Sequence, residues 1–367
     1  NISKQYRFVK MAIRPLSGYI LALAVSLILA VGICFADHIP VEKLALAKSV
    51  FTESVKHPCV TKCGSKANCF PTAWDKAAEM SRNVTKGCDM VVYSIAVDSN
   101  VHDFHDLPDL WENEKQCSVL FLHSASKYLR ANPGRERDKN WYIVPVGAMY
   151  GFANNRKASK IPKLFPQSFF ASTVKYALYI DAKIVINRHP RDILNEFLVP
   201  YAKQGKTFLT MVGHPNSHNV SQEVNGIERS LLSDRPTVTH DMKRVTFQGS
   251  MYAELNITGA GHMVDTAVMM HNLKSNASHH FSCAWQHQLH IYSDRDQISL
   301  QGVIGWFSQD IPAAIAQGEH VDKRGILTVD LNINGELVNV RILPAEKFFW
   351  LRGTEKFAIL ARFDWNK

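Results

Sequence analysis

Five short, mostly apolar runs dominate the middle of this chain: residues 90–97 (MVVYSIAV), 118–122 (SVLFL), 141–146 (WYIVPV), 176–186 (YALYIDAKIVI) and 207–212 (TFLTMV). A strand with one wet face alternates apolar and polar residues, whereas a strand buried on both faces reads as a continuous apolar run. Between and after these runs, residues 161–172 (with Pro162 near the start), 191–203 and 222–232 read as helices. Short buried strands alternating with helices predict an α/β fold with a mostly parallel central sheet. In such a sheet ligands sit at the carboxyl ends of the strands, which places Asp98, His123 and the Asp181/Lys183 region at or near the working edge.

The run at residues 176–186 is the most telling, because one acid and one base, Asp181 and Lys183, interrupt it. A buried charge is costly unless it is paired or binds something, so this strand is expected to end at a site. Many nucleotide-sugar transferases carry an Asp-X-Asp motif at such a point, where the acids hold a divalent ion against the donor diphosphate. Here the second acid is replaced by Lys183, which can neutralise a diphosphate directly as a point charge. Asp181 would then hold ribose, sugar or a metal. A structural ion pair at a strand end is the alternative.

The chain has 367 residues and a net charge of +9, which favours anionic partners. No dense Lys/Arg stripe with interleaved aromatics is present, so nucleic acid is not expected as a partner. Residues 18–36 carry no charge and approach the roughly 20 residues that span a bilayer. Lys4, Arg7, Lys10 and Arg14 precede them, which predicts a type II anchor with the body in the lumen. A signal peptide running from Met11 to Ala36 is the other reading. Either one sends the body into the secretory pathway. Sequons at Asn83, Asn219, Asn256 and Asn276 agree with that, as do the six cysteines beyond Cys34: Cys59, Cys63, Cys69, Cys88, Cys117 and Cys283. Their fifteen possible pairings stay open.

The organisation read from these patterns is a tail and anchor over residues 1–36, a cysteine-bearing stem over 37–86, a catalytic domain over 87–318, and a β appendage over 319–367. The appendage contains a hairpin: residues 326–333 and 336–343 flank Asn334-Gly335, a strong type I′ turn signal. Residues 262–273 and 281–306 read only as mixed apolar and polar, with a helix starting at Ser293. Arg295-Asp296-Gln297 stands at that helix start, where an acid can meet a sugar hydroxyl or act as a base and an arginine can grip a phosphate. His214 and His218 have helical metal spacing, but Pro215 and Asn216 between them favour a turn. His271 follows the apolar stretch AVMM and is a candidate for a metal or phosphate contact. The absence of Gly-X-Gly-X-X-Gly, of a Walker loop and of a Gly-X-Ser-X-Gly elbow argues against dinucleotide, P-loop and α/β-hydrolase chemistry.

With these residues in view, the chain resembles the glycosyltransferase-like family named for turgor-regulation-defect and mucilage-related proteins. The matching blocks occur in the family's order: residues 90–97; 141–146 followed by Asn155-Arg156-Lys157 and Lys163-Leu164-Phe165-Pro166; Tyr179-Ile180-Asp181-Ala182-Lys183; Phe281-Ser282-Cys283-Ala284-Trp285; and Arg295-Asp296-Gln297-Ile298-Ser299. They cover about residues 88–305. The resemblance implies a GT-A-like nucleotide-diphospho-sugar transferase fold and a type II Golgi enzyme that moves a sugar from a nucleotide-sugar donor to a glycan or glycoconjugate acceptor. Asp181 and Asp296 would be catalytic. Lys183, Asp181, Arg156, Lys163, Arg295 and Gln297 would bind the donor. Asp181, with His271, would hold Mn2+ or Mg2+ if a metal is used, and metal-independent transfer is the other expectation. A branch described as an alkaline ceramidase makes lipid-amide hydrolysis an alternative, as is a non-catalytic glycan-binding protein on the same fold. Tyr179, Ala182 and His287-Gln288 depart from the family's Trp, Gly and Asn-Glu.

Overall fold

The computed structural model describes residues 45, 49, 72–97, 115–147, 157, 159–182, 184–186, 188–214, 217–231, 242–257, 263–309, 319–345 and 357–359. The chain divides into Asn1–Leu46 and Ala47–Lys367, and the architecture that follows belongs to the second unit. The apolar run at residues 18–36, most of the stem, Cys59, Cys63 and Cys69 lie outside the described residues. Among the described residues no helix is long and apolar enough to cross a membrane.

Helix α1 (Thr72–Val84) leads into β1 (Met90–Ala96), and β2 (Gln116–His123) follows. Next come the short helix α2 (Lys127–Ala131), β3 (Arg137–Asp138) and β4 (Trp141–Val146). Two single turns, α3 (Ile161–Leu164) and α4 (Pro166–Phe169), stand where one helix over 161–172 was expected. Phe165 between them is neither helical nor able to continue a helix into Pro166, because the residue before a proline is pushed out of the α region.

The long run at residues 176–186 splits into β5 (Tyr176–Ile180) and β6 (Ile184–Ile186). The break falls on Asp181: its amide donates to the Ala267 carbonyl at 2.8 Å, while its own carbonyl accepts from the Ile184 amide at 2.8 Å, closing a turn. β6 then leaves the main sheet and pairs with β12 (Phe357–Ile359) in a two-stranded sheet.

Helices α5 (Pro190–Phe197) and α6 (Val199–Ala202) precede β7 (Thr207–Gly213), followed by α7 (Val220–Leu231) and α8 (Met242–Glu254). Then come β8 (Val264–Asn272), α9 (Asn276–Ile291), α10 (Asp296–Gln309), β9 (Glu319–Val321), β10 (Leu327–Ile333) and β11 (Glu336–Leu343).

Ten strands form one sheet in the order β3-β4-β2-β1-β5-β8-β7-β11-β10-β9. The pairs β4-β2, β2-β1, β1-β5 and β7-β11 are parallel; the other five neighbours are antiparallel. The sheet is therefore mixed, not mostly parallel as the sequence predicts. Beyond the antiparallel edge pairs β3-β4, β11-β10 and β10-β9, the cause is β8, which the sequence hid. It lies between β5 and β7, antiparallel to both, and carries Asp265, Thr266, His271 and Asn272 among its apolar residues.

The expected hairpin forms, with Asn334 at φ 53° and Gly335 at φ 83°. It is not an appendage: β11 is hydrogen-bonded to β7, so the hairpin extends the main sheet. Arg341 fixes it from below, buried, with its guanidinium carbon 3.3 Å from the Tyr201 ring centroid and Nη1 donating to the Phe197 carbonyl at 3.1 Å.

Helices cover both faces. On one, Ile193, Leu194, Phe197 and Leu198 of α5–α6 pack with Met90, Val92, Leu120, Leu178 and Met270. On the other, Trp74, Phe121, Phe169, Phe170, Tyr93 and Tyr179 stack edge to face or tilted. Near the amino ends of β1 and β2, Cys88 and Cys117 form a disulfide with a Cα–Cα distance of 5.9 Å, one of the bonds the cysteine count predicts. Cys283 is disulfide-bonded as well.

Candidate active site

Three elements meet where β5 ends: the Asp181 turn, the start of β8 with Asp265 and Thr266, and the amino end of α10 with Arg295, Asp296 and Gln297. The turn before α10 is held by a buried polar chain. Ser293 donates to Gln248 Oε1 through its amide (3.3 Å) and its hydroxyl (2.6 Å). Gln248 Nε2 donates to the Tyr252 hydroxyl (2.9 Å) and to Ser299 Oγ (3.0 Å), and Tyr252 donates to Gln288 Oε1 (3.0 Å). Trp285 Nε1 donates to the Asp296 carbonyl at 3.0 Å, tying α9 to the same point. Gly302 permits the close approach of α10 to α8, because a Cβ there would fall inside the Tyr252 ring. Gln288 is fully buried in this network and points at Tyr252, which accounts for the departure from the family's glutamate as a packing role.

Asp296 is the centre of an ion triad. Lys160 Nζ lies 2.5 Å from Oδ1, Lys163 Nζ 2.7 Å from Oδ2, and the Thr266 hydroxyl donates to Oδ2 at 2.8 Å. Burial works to raise the Asp296 pKa, but the charges and hydrogen bonds of Lys160 and Lys163 outweigh it and hold the carboxyl well below its ordinary value. The amino end of α10 favours the negative charge as well. Both oxygens are engaged, so Asp296 acts as an anchor for cations, not as an open base. Two ammonium groups on one carboxylate leave the triad itself net positive, and Lys163 Nζ also sits 4.8 Å from the Tyr179 ring centroid.

Arg295 is spent differently from the expectation that it grips a ligand. Its Nε donates to Glu223 Oε1 at 2.7 Å, and Nη2 reaches the same oxygen. Glu223, on α7, is buried and also accepts from Ser217 Oγ at 2.9 Å, with His214 Nε2 3.7 Å away. Burial raises its pKa, and Arg295, His214 and Ser217 together carry it below the ordinary value. Asp265 follows the opposite balance. Burial raises its pKa above the ordinary value against the hydrogen bond from the Ala267 amide (2.9 Å) and the pull of His214, Lys163 and Arg295. Gln297 Nε2 donates to the same Oδ1 at 3.2 Å.

Asp181 is half-buried at the rim and makes no ion pair with a described residue. Lys183 and Arg156 lie outside the described residues. His271 is not brought to this end: it pairs with Ala177, three positions along β5 from the Ile180–Val268 pair, and is buried. Burial, helped by Lys163, pushes its pKa down to about 3, so the ring is neutral at physiological pH. Asn83, Asn219, Asn256 and Asn276 are all exposed.

Sequence reasoning missed Lys160, Glu223 and Asp265. Lys160 and Lys163 stand three apart across a single helical turn, a spacing that puts both on one side. Asp265 interrupts MVDTAVMM as Asp181 interrupts its own run, so the same signal marked both.

A divalent ion in a nucleotide site is held by one or two carboxylates plus substrate phosphates. Asp181, at the rim, fits as such a ligand. Among the described residues no group of three His, Cys, Asp or Glu side chains is placed to hold an ion alone.

Residues 48–326 match the model of the family described as TOD1/MUCI70, glycosyltransferase-like domain. The chain belongs to this family. All the blocks of the resemblance fall inside the match, and the TOD1/MUCI70 Lys-X-Phe-Pro and Arg-Asp-Gln segments are what meet in the Lys163–Asp296 pair. Strands β10 and β11 lie beyond the match. Among solved structures the chain is similar to the apo form of the bifunctional glycosyltransferase WbbM, at 14% identity and TM-score 0.37, over 59% of this chain and 37% of that one. It thus spans well under half the length of WbbM. It is also similar to apo mouse xyloside xylosyltransferase 1, at 11% identity and TM-score 0.34, over 61% and 82% of the two chains. No curated protein matches the sequence.

Proposed function

We propose that this TOD1/MUCI70 chain is a glycosyltransferase that moves a sugar from a nucleotide-sugar donor to a glycan or glycoconjugate acceptor, in the lumen of the Golgi or a neighbouring secretory compartment. The observation that carries the reading is the triad of Lys160, Lys163 and Asp296 beside Asp181. Departure of a nucleoside diphosphate develops negative charge, and preorganised cations in a partly dry site stabilise it without reorganising. Lys160 and Lys163 are held in place by Asp296 and need no further ordering when a diphosphate arrives. Lys183 and Arg156 are further candidates for the same anion. Asp181 faces the donor at the strand end. Mg2+ or Mn2+ bound there with the diphosphate would add Lewis-acid neutralisation. The lysines supply the same sign of charge without it, so the reading accommodates metal-independent transfer. Positioning of donor against acceptor supplies the remainder.

The test is calorimetry of UDP, GDP and their sugar conjugates, with and without Mn2+, on the wild type and on Asp181→Ala and Lys163→Met. The expected result is micromolar wild-type binding of at least one nucleoside diphosphate, weakened tenfold or more by Lys163→Met. Failure of the wild type to bind any nucleoside diphosphate ends the reading.

A further inference from the structure

Behind Asp181 at the rim, Asp265 and Gln297 are buried site residues with polar atoms left over among the described residues. Asp265 is 7% exposed, and only its Oδ1 is used, by the Ala267 amide and the Gln297 amide. Its Oδ2 has no hydrogen-bond partner among the described residues. Gln297 is 5% exposed, and its Oε1 is buried with no partner among the described residues. The orientation of that amide is dictated locally: Oδ1 already accepts a backbone N–H, so the side chain must present its NH2 to the carboxylate and turn its carbonyl away. Leaving a buried acceptor unpaired costs about 1–3 kcal/mol, which a ligand donor would recover. Two unmet acceptors on side chains joined by one hydrogen bond call for hydroxyl groups.

Resting on the nucleotide-sugar reading above, we propose that Asp265 Oδ2 and Gln297 Oε1 form the hydroxyl-binding subsite for the transferred sugar. The placement suits that role. Asp265 is two residues from Ala267, whose carbonyl receives the Asp181 amide, so the pair lies beside the diphosphate end of the site. Asp296, the more obvious acid, has no oxygen to spare, since Lys160, Lys163 and Thr266 occupy both. Burial holds the Asp265 carboxyl above its ordinary pKa, and hydroxyl donors would favour its charged form. The subsite accepts the hydroxylated, uncharged face of a sugar. Asp296 is a positioning residue for the cations, and Asp265 is the carboxylate that meets the sugar.

The experiment separates sugar from diphosphate. UDP, UDP-glucose, UDP-galactose, UDP-xylose, GDP and GDP-mannose are titrated into the wild type, Asp265→Asn and Gln297→Met, with melting temperatures confirming that each variant is folded. The wild type should bind one sugar conjugate more tightly than its bare nucleotide. Asp265→Asn, which keeps the shape but replaces an acceptor by a donor, should lose that increment by tenfold or more and leave bare-nucleotide affinity within twofold. Gln297→Met should show the same split. A wild type that binds a nucleotide but gains nothing from any of these sugars overturns the subsite and leaves the donor site standing. So do variants that weaken nucleotide and conjugate equally, or neither. A wild type that binds no nucleotide overturns both.

Discussion

Replacing Asp296 by asparagine tests the ion triad most directly. The substitution keeps the shape and removes the one negative charge facing two ammonium groups, of which Lys163 has a side chain only 6% exposed. Removing one partner of a buried ion pair costs about 3–5 kcal/mol, because the remaining charge stays buried without compensation. At about 2.1 cal/mol/K of unfolding entropy per residue, a chain of 367 residues loses about 1.3 °C per kcal/mol, so a fall of about 4–6 °C is expected. The pH dependence is the sharper readout. The folded pKa of Asp296 is depressed, so its contribution is fully present above the unfolded carboxylate value of about 3.9 and is lost as pH falls through the depressed folded value. Urea unfolding followed by circular dichroism should therefore show a wild-type advantage that is flat from pH 7 to 5 and narrows only in stronger acid. An advantage below about 1 kcal/mol at pH 7, or one that does not shrink at low pH, would refute the claim that this carboxylate is held by paired charge.

Gly302→Ala should destabilise by about 1–3 kcal/mol in urea, since the added methyl meets the Tyr252 ring and the buried chain from Ser293 to Gln288 leaves it nowhere to go. Gln288→Glu restores the residue the family tends to have. It should lower stability by about 1–3 kcal/mol by placing a carboxyl in a fully buried amide network, and leave nucleotide affinity unchanged. A rise in transfer rate instead would put residue 288 in the chemistry. A chain ending at residue 318 loses β9, β10 and β11 and bares the edge of β7, so it should show no cooperative thermal transition by circular dichroism, whereas a detachable appendage would leave the melt intact.

The strands that were legible in the sequence are those buried on both faces within the parallel block, β1, β2, β4 and β5, along with β7. Each reads as mostly apolar because burial leaves room for few polar groups, such as Ser94 and Thr210. β8 was not legible for the same physical reason turned round. It is the strand that carries Asp265 and Thr266 to the end of β5 and His271 into the sheet interior, so polar residues break its apolar pattern. Missing it made the sheet look mostly parallel and hid the second carboxylate. Asp181 was visible because it and Lys183 are the charges that interrupt an otherwise apolar run. The pairing of Asp296 with Lys160 and Lys163 was not, because chain separations of 133 to 136 residues leave no local trace. The hairpin was legible from Asn334-Gly335, but its attachment through β11 depends on an edge supplied by β7, well over a hundred residues earlier.

That long range has a consequence for how the site can be dissected. Asp296 joins α3, β8 and α10, and Glu223 joins α7 to the turn before α10, so most of the charged side chains here hold the fold as well as any ligand. Loss of activity on removing them would not distinguish chemistry from collapse. Asp265 Oδ2 and Gln297 Oε1 are different, because the described residues give them no partner. Asp265→Asn removes no hydrogen bond that Oδ2 makes to a described residue, and the charge it takes from His214, Lys163 and Arg295 is read separately through bare-nucleotide affinity and melting temperature. On the proposed nucleotide-sugar reading, the residues to test first are therefore those with an unmet acceptor beside a fully engaged carboxylate.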